Sequence, residues 1–274
     1  MSTDTGSRDW DMTFRRAIQT LERNWLRFWT AAVLIFLYMP IVIVVVFSFE
    51  QGSFSTLPWS GFTLEWYRQL LSDSAAISSI YNSAIVAVAV TAIGTVLGTL
   101  GAIALVRHEF PLKRGYRALV IAPMTVPGLI LGVALALTFS YMEVGRSLRT
   151  VIVGQLVFIT PFVLVTVSAR LRGYDPTLEE AARDLGASKL TVYKRVTLPL
   201  LAPGIISGAL FAFTLSWDDF LLAFFTSGAQ DTLPVYIFST IQRSQTPVIN
   251  AISAVALLVS ILLIGLSLLF REEY

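Results

Sequence analysis

The chain has no cysteine and a single histidine, His108, among its 274 residues. Disulfides, thiolate catalysis and cysteine metal sites are therefore excluded, and no histidine/cysteine metal cluster can be assembled. Nothing marks His108 as part of a Ser/His/Asp triad; it reads as a polar residue at a membrane interface. Charge is scarce as well. Only 14% of the residues are Asp, Glu, Lys or Arg and the formal net charge is +2, too small to argue for a nucleic-acid partner. No G-x-x-x-x-G-K-[ST] phosphate loop occurs in the sequence, so the chain is not expected to bind ATP in the usual way. No internal repeat or low-complexity linker is visible. What is plentiful is apolar: hydrophobic residues make up 55% of the chain and the mean hydropathy is +0.71, outside the soluble range and inside that of membrane proteins.

The apolar residues gather in runs: Thr30–Phe49, Ser83–Val106, Ala118–Tyr141, Val151–Ala169, Gly204–Phe225 and Ile249–Phe270. Each is close to the roughly 20 residues that cross a hydrocarbon layer as a helix. The sequence thus predicts an all-α membrane protein of six transmembrane helices. Residues 1–29 form an N-terminal tail, 30–270 the six-helix domain, and 271–274 a short second tail. No small-residue cleavage site follows Thr30–Phe49, which reads as an uncleaved span. Gly94, Gly98 and Gly101 suit close helix contact in the second run. Pro123, Pro127 and Gly128 predict a kink in the third. Residues 226–247 read as a loop or a re-entrant segment.

Lysine and arginine set the orientation. With the N-terminus inside, sixteen of these residues fall in cytoplasmic segments and only Arg68, Arg146, Arg149 and Arg243 fall outside. The positive-inside rule then places both termini, and the polar insert between the fourth and fifth runs, in the cytoplasm.

That insert, Asp175–Pro199, organises the rest. Asp175 can cap a helix, Pro176 suits its first turn, and Thr177 with Glu180 has capping-box spacing. Leu178, Ala181, Ala182 and Leu185 share one face, and Gly186 sits where a left-handed C-cap would end the helix. Ser188 can cap a second helix, which Pro199 is expected to stop. A helix-turn-helix DNA reader has a similar outline. Here both ends are tied to membrane spans, and Glu179, Glu180 and Asp184 offset the basic residues, so a knob that docks into another protein fits better.

Glu180-Ala181-Ala182, then Gly186 after three residues, then Val196-Thr197-Leu198-Pro199 after nine more resembles the EAA loop of ABC importer permeases; Val196 for isoleucine is the one departure. With LSWDDFLLAFFTSG after the loop and Thr232-Leu233-Pro234 beyond it, nearly the whole chain is similar to the spermidine/putrescine importer permease family. The resemblance implies a type I ABC importer permease (MetI-like) fold in a bacterial inner membrane, with a coupling loop over 170–203. It implies a second permease subunit, two cytoplasmic ATPase subunits and a periplasmic substrate-binding protein as partners. No cofactor would be bound by this chain, since ATP and magnesium belong to the ATPase. Glu179, Glu180, Ala181, Ala182, Leu185, Gly186, Val196, Leu198 and Pro199 would form the coupling loop. Glu180 could cap its own helix or face a basic residue of the ATPase. Related permeases carry ferric iron, opines or thiamine, so the polyamine expectation rests on the likeness outside the loop.

Asp218 and Asp219 lie inside the fifth run. Ser207, Phe211, Thr214 and Asp218 recur at helical spacing, giving that helix one polar face. An unpaired carboxylate there costs about 2.5–3.5 kcal/mol on insertion scales. One reading has one of the carboxylates, Asp218 or Asp219, face a cation pathway that Thr214 also lines, with Trp217 or Phe211 adding a cation–π face. The other has the pair cap a helix end or hydrogen-bond a neighbouring span in the partner permease. An intramembrane enzyme using the two carboxylates lacks a nucleophile or metal. A secondary transporter is poorly served by six spans without repeats.

Overall fold

The computed structural model describes residues 6–52, 58–243 and 247–269. The tail 271–274 lies outside the described residues. Within them the protein is helical, with a lone bridge between Glu50 and Phe62. Helix α1 (Gly6–Phe47) joins part of the expected N-terminal tail to the first apolar run, and its stretch Trp25–Phe47 is exposed along nearly its whole length. The short α2 (Glu65–Ser72) leads into α3 (Ser74–Arg107). Helix α3 starts well before the second run because Asp73 caps it: its Oδ1 accepts from the backbone N–H groups of Ala75 and Ala76, two of the donors that a helix start leaves unpaired.

The third run does more than kink. Helices α4 (Lys113–Ile121) and α5 (Gly128–Tyr141) meet at 109° across a short 3-10 turn, Ala122–Thr125. Pro123 and Pro127 each remove a ladder donor, and Val126 is extended, at φ −84° and ψ 128°, as a residue before proline prefers. Helix α6 (Leu148–Arg172) carries Pro161 without breaking.

Helices α7 (Thr177–Asp184) and α8 (Lys189–Val192) form the insert. Pro199 does not stop the second of them. The chain passes through a π turn, Tyr193–Thr197, straight into α9 (Leu198–Trp217), with Pro199 in the first turn of α9. The wider turn lets Leu198 N–H reach Tyr193 O, and a proline so placed has no donor to lose. The fifth run is also corrected at its far end. Helix α9 stops at Trp217, and after Asp218–Phe220 the chain restarts as α10 (Leu221–Thr226). Residues 226–247 contain a helix, α11 (Leu233–Arg243), before α12 (Val248–Leu269).

Among the described residues, four helical stretches are long and apolar enough to cross a membrane, or five if the bent α4–α5 pair is one span; α12 adds an apolar stretch over Val248–Leu262. The core is where α3, α6 and α9 pack, with Val86, Val90, Val151, Ile159, Val163, Val167 and Ala212 buried together. A Cβ at Gly98 would lie 2.7 Å from the Val163 Cβ, so the close approach of α3 and α6 requires glycine there.

Candidate functional site

The insert folds as a knob below the three-helix core. Asp175 supplies its first cap: Oδ1 accepts from Thr177 N–H at 3.0 Å, and those bonds hold its carboxyl below the usual aspartate range. The Thr177/Glu180 capping box is replaced by this arrangement, and the Glu180 side chain stands exposed. Helix α7 ends in a paired motif. Gly186 N–H donates to Arg183 O at 2.8 Å and Ala187 N–H to Ala182 O at 3.1 Å, with Gly186 at φ +84°. That is the Schellman pattern, and its left-handed residue is the one for which glycine is suited. Ser188 then caps α8, its Oγ accepting from Thr191 N–H.

The apolar face of the knob is open. Leu178, Leu185 and Leu190 are exposed, Leu185 to 90%. Ala181, Leu198 and Pro199 are exposed too, while Ala182 and Val196 are half-buried. What the knob keeps for itself is Glu179, whose side chain is only 12% exposed. Its Oε1 accepts from Arg107 Nη2 at 3.2 Å and from Thr197 Oγ1 at 3.0 Å, and its Oε2 accepts from Arg183 Nη2 at 3.2 Å. The Arg107 guanidinium lies 5.0 Å from the centre of the Tyr174 ring. Burial, then the Glu179 charge, raises the Tyr174 phenol above its usual value, and Arg107 opposes this. Hydrogen bonds to charged groups contribute about 1.5–3 kcal/mol each, so Glu179 anchors the knob to α3 and to the start of α9.

At the other end of α9 the two aspartates separate. Asp219 Oδ2 accepts from Ala223 N–H and from Gln155 Nε2, both at 3.0 Å. Gln155 is fully buried in α6, and its Oε1 accepts a short hydrogen bond from Ser216 Oγ. Asp219 thus caps α10 and joins it to α6. Asp218 is exposed at the C-terminus of α9, and its carboxylate makes no hydrogen bond or ion pair among the described residues. Thr214 Oγ1 donates back to Leu210 O. Trp217 is 5% exposed and stacks on Phe213 beside Leu70, Ala87 and Leu233. Phe211 is the exposed ring of the two, set edge-on to Phe162.

Sequence reasoning missed Arg107, Tyr174 and Gln155. Gln155 carried a signal, as the one amide of the run Val151–Ala169; Arg107 carried none, being counted only as a cytoplasmic charge. Among the described residues no three His, Cys, Asp or Glu side chains gather as metal ligands.

A family model for the inner membrane component of binding-protein-dependent transport systems matches residues 94–272. The spermidine/putrescine transport system permease protein PotC of Haemophilus influenzae is 34% identical over 239 residues, which is 87% of this chain and 93% of that relative. The putrescine transport system permease protein PotI of Escherichia coli K12 is 38% identical over 230 residues, 81% of this chain and 82% of that one. Among solved structures, a bacterial ABC transporter involved in the import of the acidic polysaccharide alginate aligns with a TM-score of 0.70 at 18% identity, over 92% of this chain and 98% of that one; this likeness shows the fold. The chain belongs to the family of inner membrane components of binding-protein-dependent transport systems, and so is a multi-pass permease.

Proposed function

We propose that this chain forms one half of the translocation pathway of a polyamine importer and is driven through its knob by a separate ATPase. The observation that carries this reading is one continuous helical rod, Lys189–Trp217, of 29 residues and about 40 Å. It joins the exposed apolar knob to the free carboxylate of Asp218. The charge distribution supports a cytoplasmic knob and cytoplasmic termini. The ATPase, carrying ATP and magnesium, docks on Leu178, Leu185 and Leu190, with Glu180 free to face a basic residue. A second permease completes the pathway, and an extracytoplasmic binding protein delivers cargo.

A helix C-terminus carries partial negative charge, so a carboxylate there, inside an apolar layer, is unfavourable twice over. That expense has no structural return at Asp218, whereas Asp219 sits at the favourable N-terminal end of α10. The polar end of α9 suits a passing organic cation, with Thr214 and Phe211 one and two turns below it and Trp217 holding the turn in place. The polyamine cargo rests on the names of the relatives. The test is uptake by proteoliposomes holding the complete complex and its binding protein, with labelled spermidine and putrescine against ferric iron, thiamine and an opine. MgATP-dependent uptake of a polyamine alone is expected; uptake of another member of the panel instead overturns the cargo.

A further inference from the structure

Helix α3 reaches the knob without being joined to it in sequence. Arg107, in the last turn of α3, meets Glu179 of α7 across a separation of 72 residues. At the opposite end, α3 is bonded to the segment that follows the outer break. Asp73 Oδ2 accepts from Tyr236 Oη at 2.6 Å, Ser83 Oγ accepts from Leu233 N–H at 2.8 Å, and Asn82 Nδ2 donates to Asp231 O at 3.0 Å. Between these ends α3 is one unbroken helix of 34 residues, about 50 Å long. Its middle is locked to α6 at Gly98.

We propose that Arg107 is a positioning residue for coupling. By holding Glu179 it makes α3 a second rod, so that displacement of the knob moves the outer helix α11 together with the end of α9. This rests on the proposed coupling role of the knob. Helix α9 receives its motion through the chain; α3 packs on α6 and α9 but touches a side chain of α7 through this charged contact. Packed helices and hydrogen-bonded charge networks transmit displacement when both ends are held, and α3 is held at both. The Tyr174 ring over the guanidinium limits where Arg107 can go, which keeps the contact directional. Thr197 shares Glu179 Oε1 with Arg107, so the knob, α3 and the start of α9 meet at a single carboxylate.

The test uses the absence of native cysteine. In the full complex in nanodiscs, Ile241→Cys, an exposed position on α11, reports through its rate of labelling by a hydrophilic thiol reagent with and without ATP. Asp218→Cys reports on the end of α9 in the same way. With the contact intact, ATP changes the rate at Ile241→Cys by about fivefold or more, the usual size of a coupling between sites. Arg107→Ala is expected to abolish that response while leaving the response at Asp218→Cys and co-purification with the ATPase, and Arg107→Lys to restore part of it. Uptake per ATP should fall with the response. An ATP response at Ile241→Cys that survives Arg107→Ala, no response in the parent, or loss of assembly in place of loss of response overturns the proposal. Gly186→Val separates the two levels. If it leaves the responses at both sites, the coupling reading of the knob itself fails; if it removes both while Arg107→Ala removes neither, only the second rod fails.

Discussion

The knob and the break after α9 both interrupt an apolar chain with charge, and they divide that charge alike in different surroundings. In the knob the residues of the loop pattern, Glu180, Ala181, Leu185 and Pro199, are largely exposed, while the carboxylate beside the pattern, Glu179, is buried in its partners. At the break two adjacent aspartates divide the same tasks: Asp219 is bonded into the fold and Asp218 is left open. In each region one carboxylate holds the architecture and its neighbour faces outward. The contrast is in the medium. The knob can keep its apolar leucines uncovered only if a partner covers them. The break can keep a carboxylate uncovered only if water or a cation meets it.

Four substitutions test that contrast. The largest effect is expected from Leu185→Ser. Burying a leucine at an interface is worth about 1.5–3 kcal/mol, so ATPase association should weaken by roughly ten- to a hundredfold, with the permease's own thermal stability unchanged. Titrated co-sedimentation checks this, and unaltered affinity would remove Leu185 from the docking face. Next is Gln155→Leu, which takes one of two donors from the Asp219 carboxylate and the acceptor from the buried Ser216 hydroxyl. Leaving a buried group unpaired costs about 1–3 kcal/mol, so the melting temperature of the purified permease should fall, whereas Asp218→Asn should not lower it. Equal stability in both variants would erase the division between the two aspartates.

Asp218→Asn ranks third, with its effect on transport. Losing a counter-charge worth about 1 kcal/mol would slow uptake by roughly fivefold, with normal assembly and ATPase docking; full uptake would leave the exposed carboxylate without a role. The smallest effect belongs to Tyr236→Phe. The Tyr236 hydroxyl, ahead of the backbone donors Ala75 and Ala76 and against the effect of burial, holds the Asp73 carboxyl below its usual range. A lowered native pKa means that the stabilisation is complete above the unfolded value, about 3.9, and fades as the pH falls through the native value. Tyr236→Phe should therefore weaken thermal stability slightly at neutral pH and make no difference in strong acid. A gap between the proteins that widens on acidification would contradict this.

The knob was legible because its signals are local. Asp175, Gly186 and Ser188 act within a few residues of themselves, through caps and a positive φ that depend on residue type. Pro199 was misread for a related reason. Proline ends a regular ladder, but a π turn placed just before it converts a stop into a start. The break after Trp217 lay hidden in an apolar run with no glycine or proline near it, where only the paired aspartates hinted at an interruption. Arg107 and Gln155 were out of reach because their meaning is tertiary. Each meets its partner more than sixty residues away, and one sequence holds no record of that distance.

The most direct test of the whole account is the ratio of polyamine taken up to ATP hydrolysed by reconstituted complexes carrying Gly186→Val. A β-branched side chain at φ +84° is strongly disfavoured, yet no neighbouring atom lies within 4 Å of the added Cβ, so the strain falls on the turn between α7 and α8 alone. The complex is expected to assemble and its uptake per ATP to fall by about tenfold, a loss of about 1.4 kcal/mol in coupling. An assembled complex with the ratio of the parent would show that the knob's geometry does not carry the drive to the pathway.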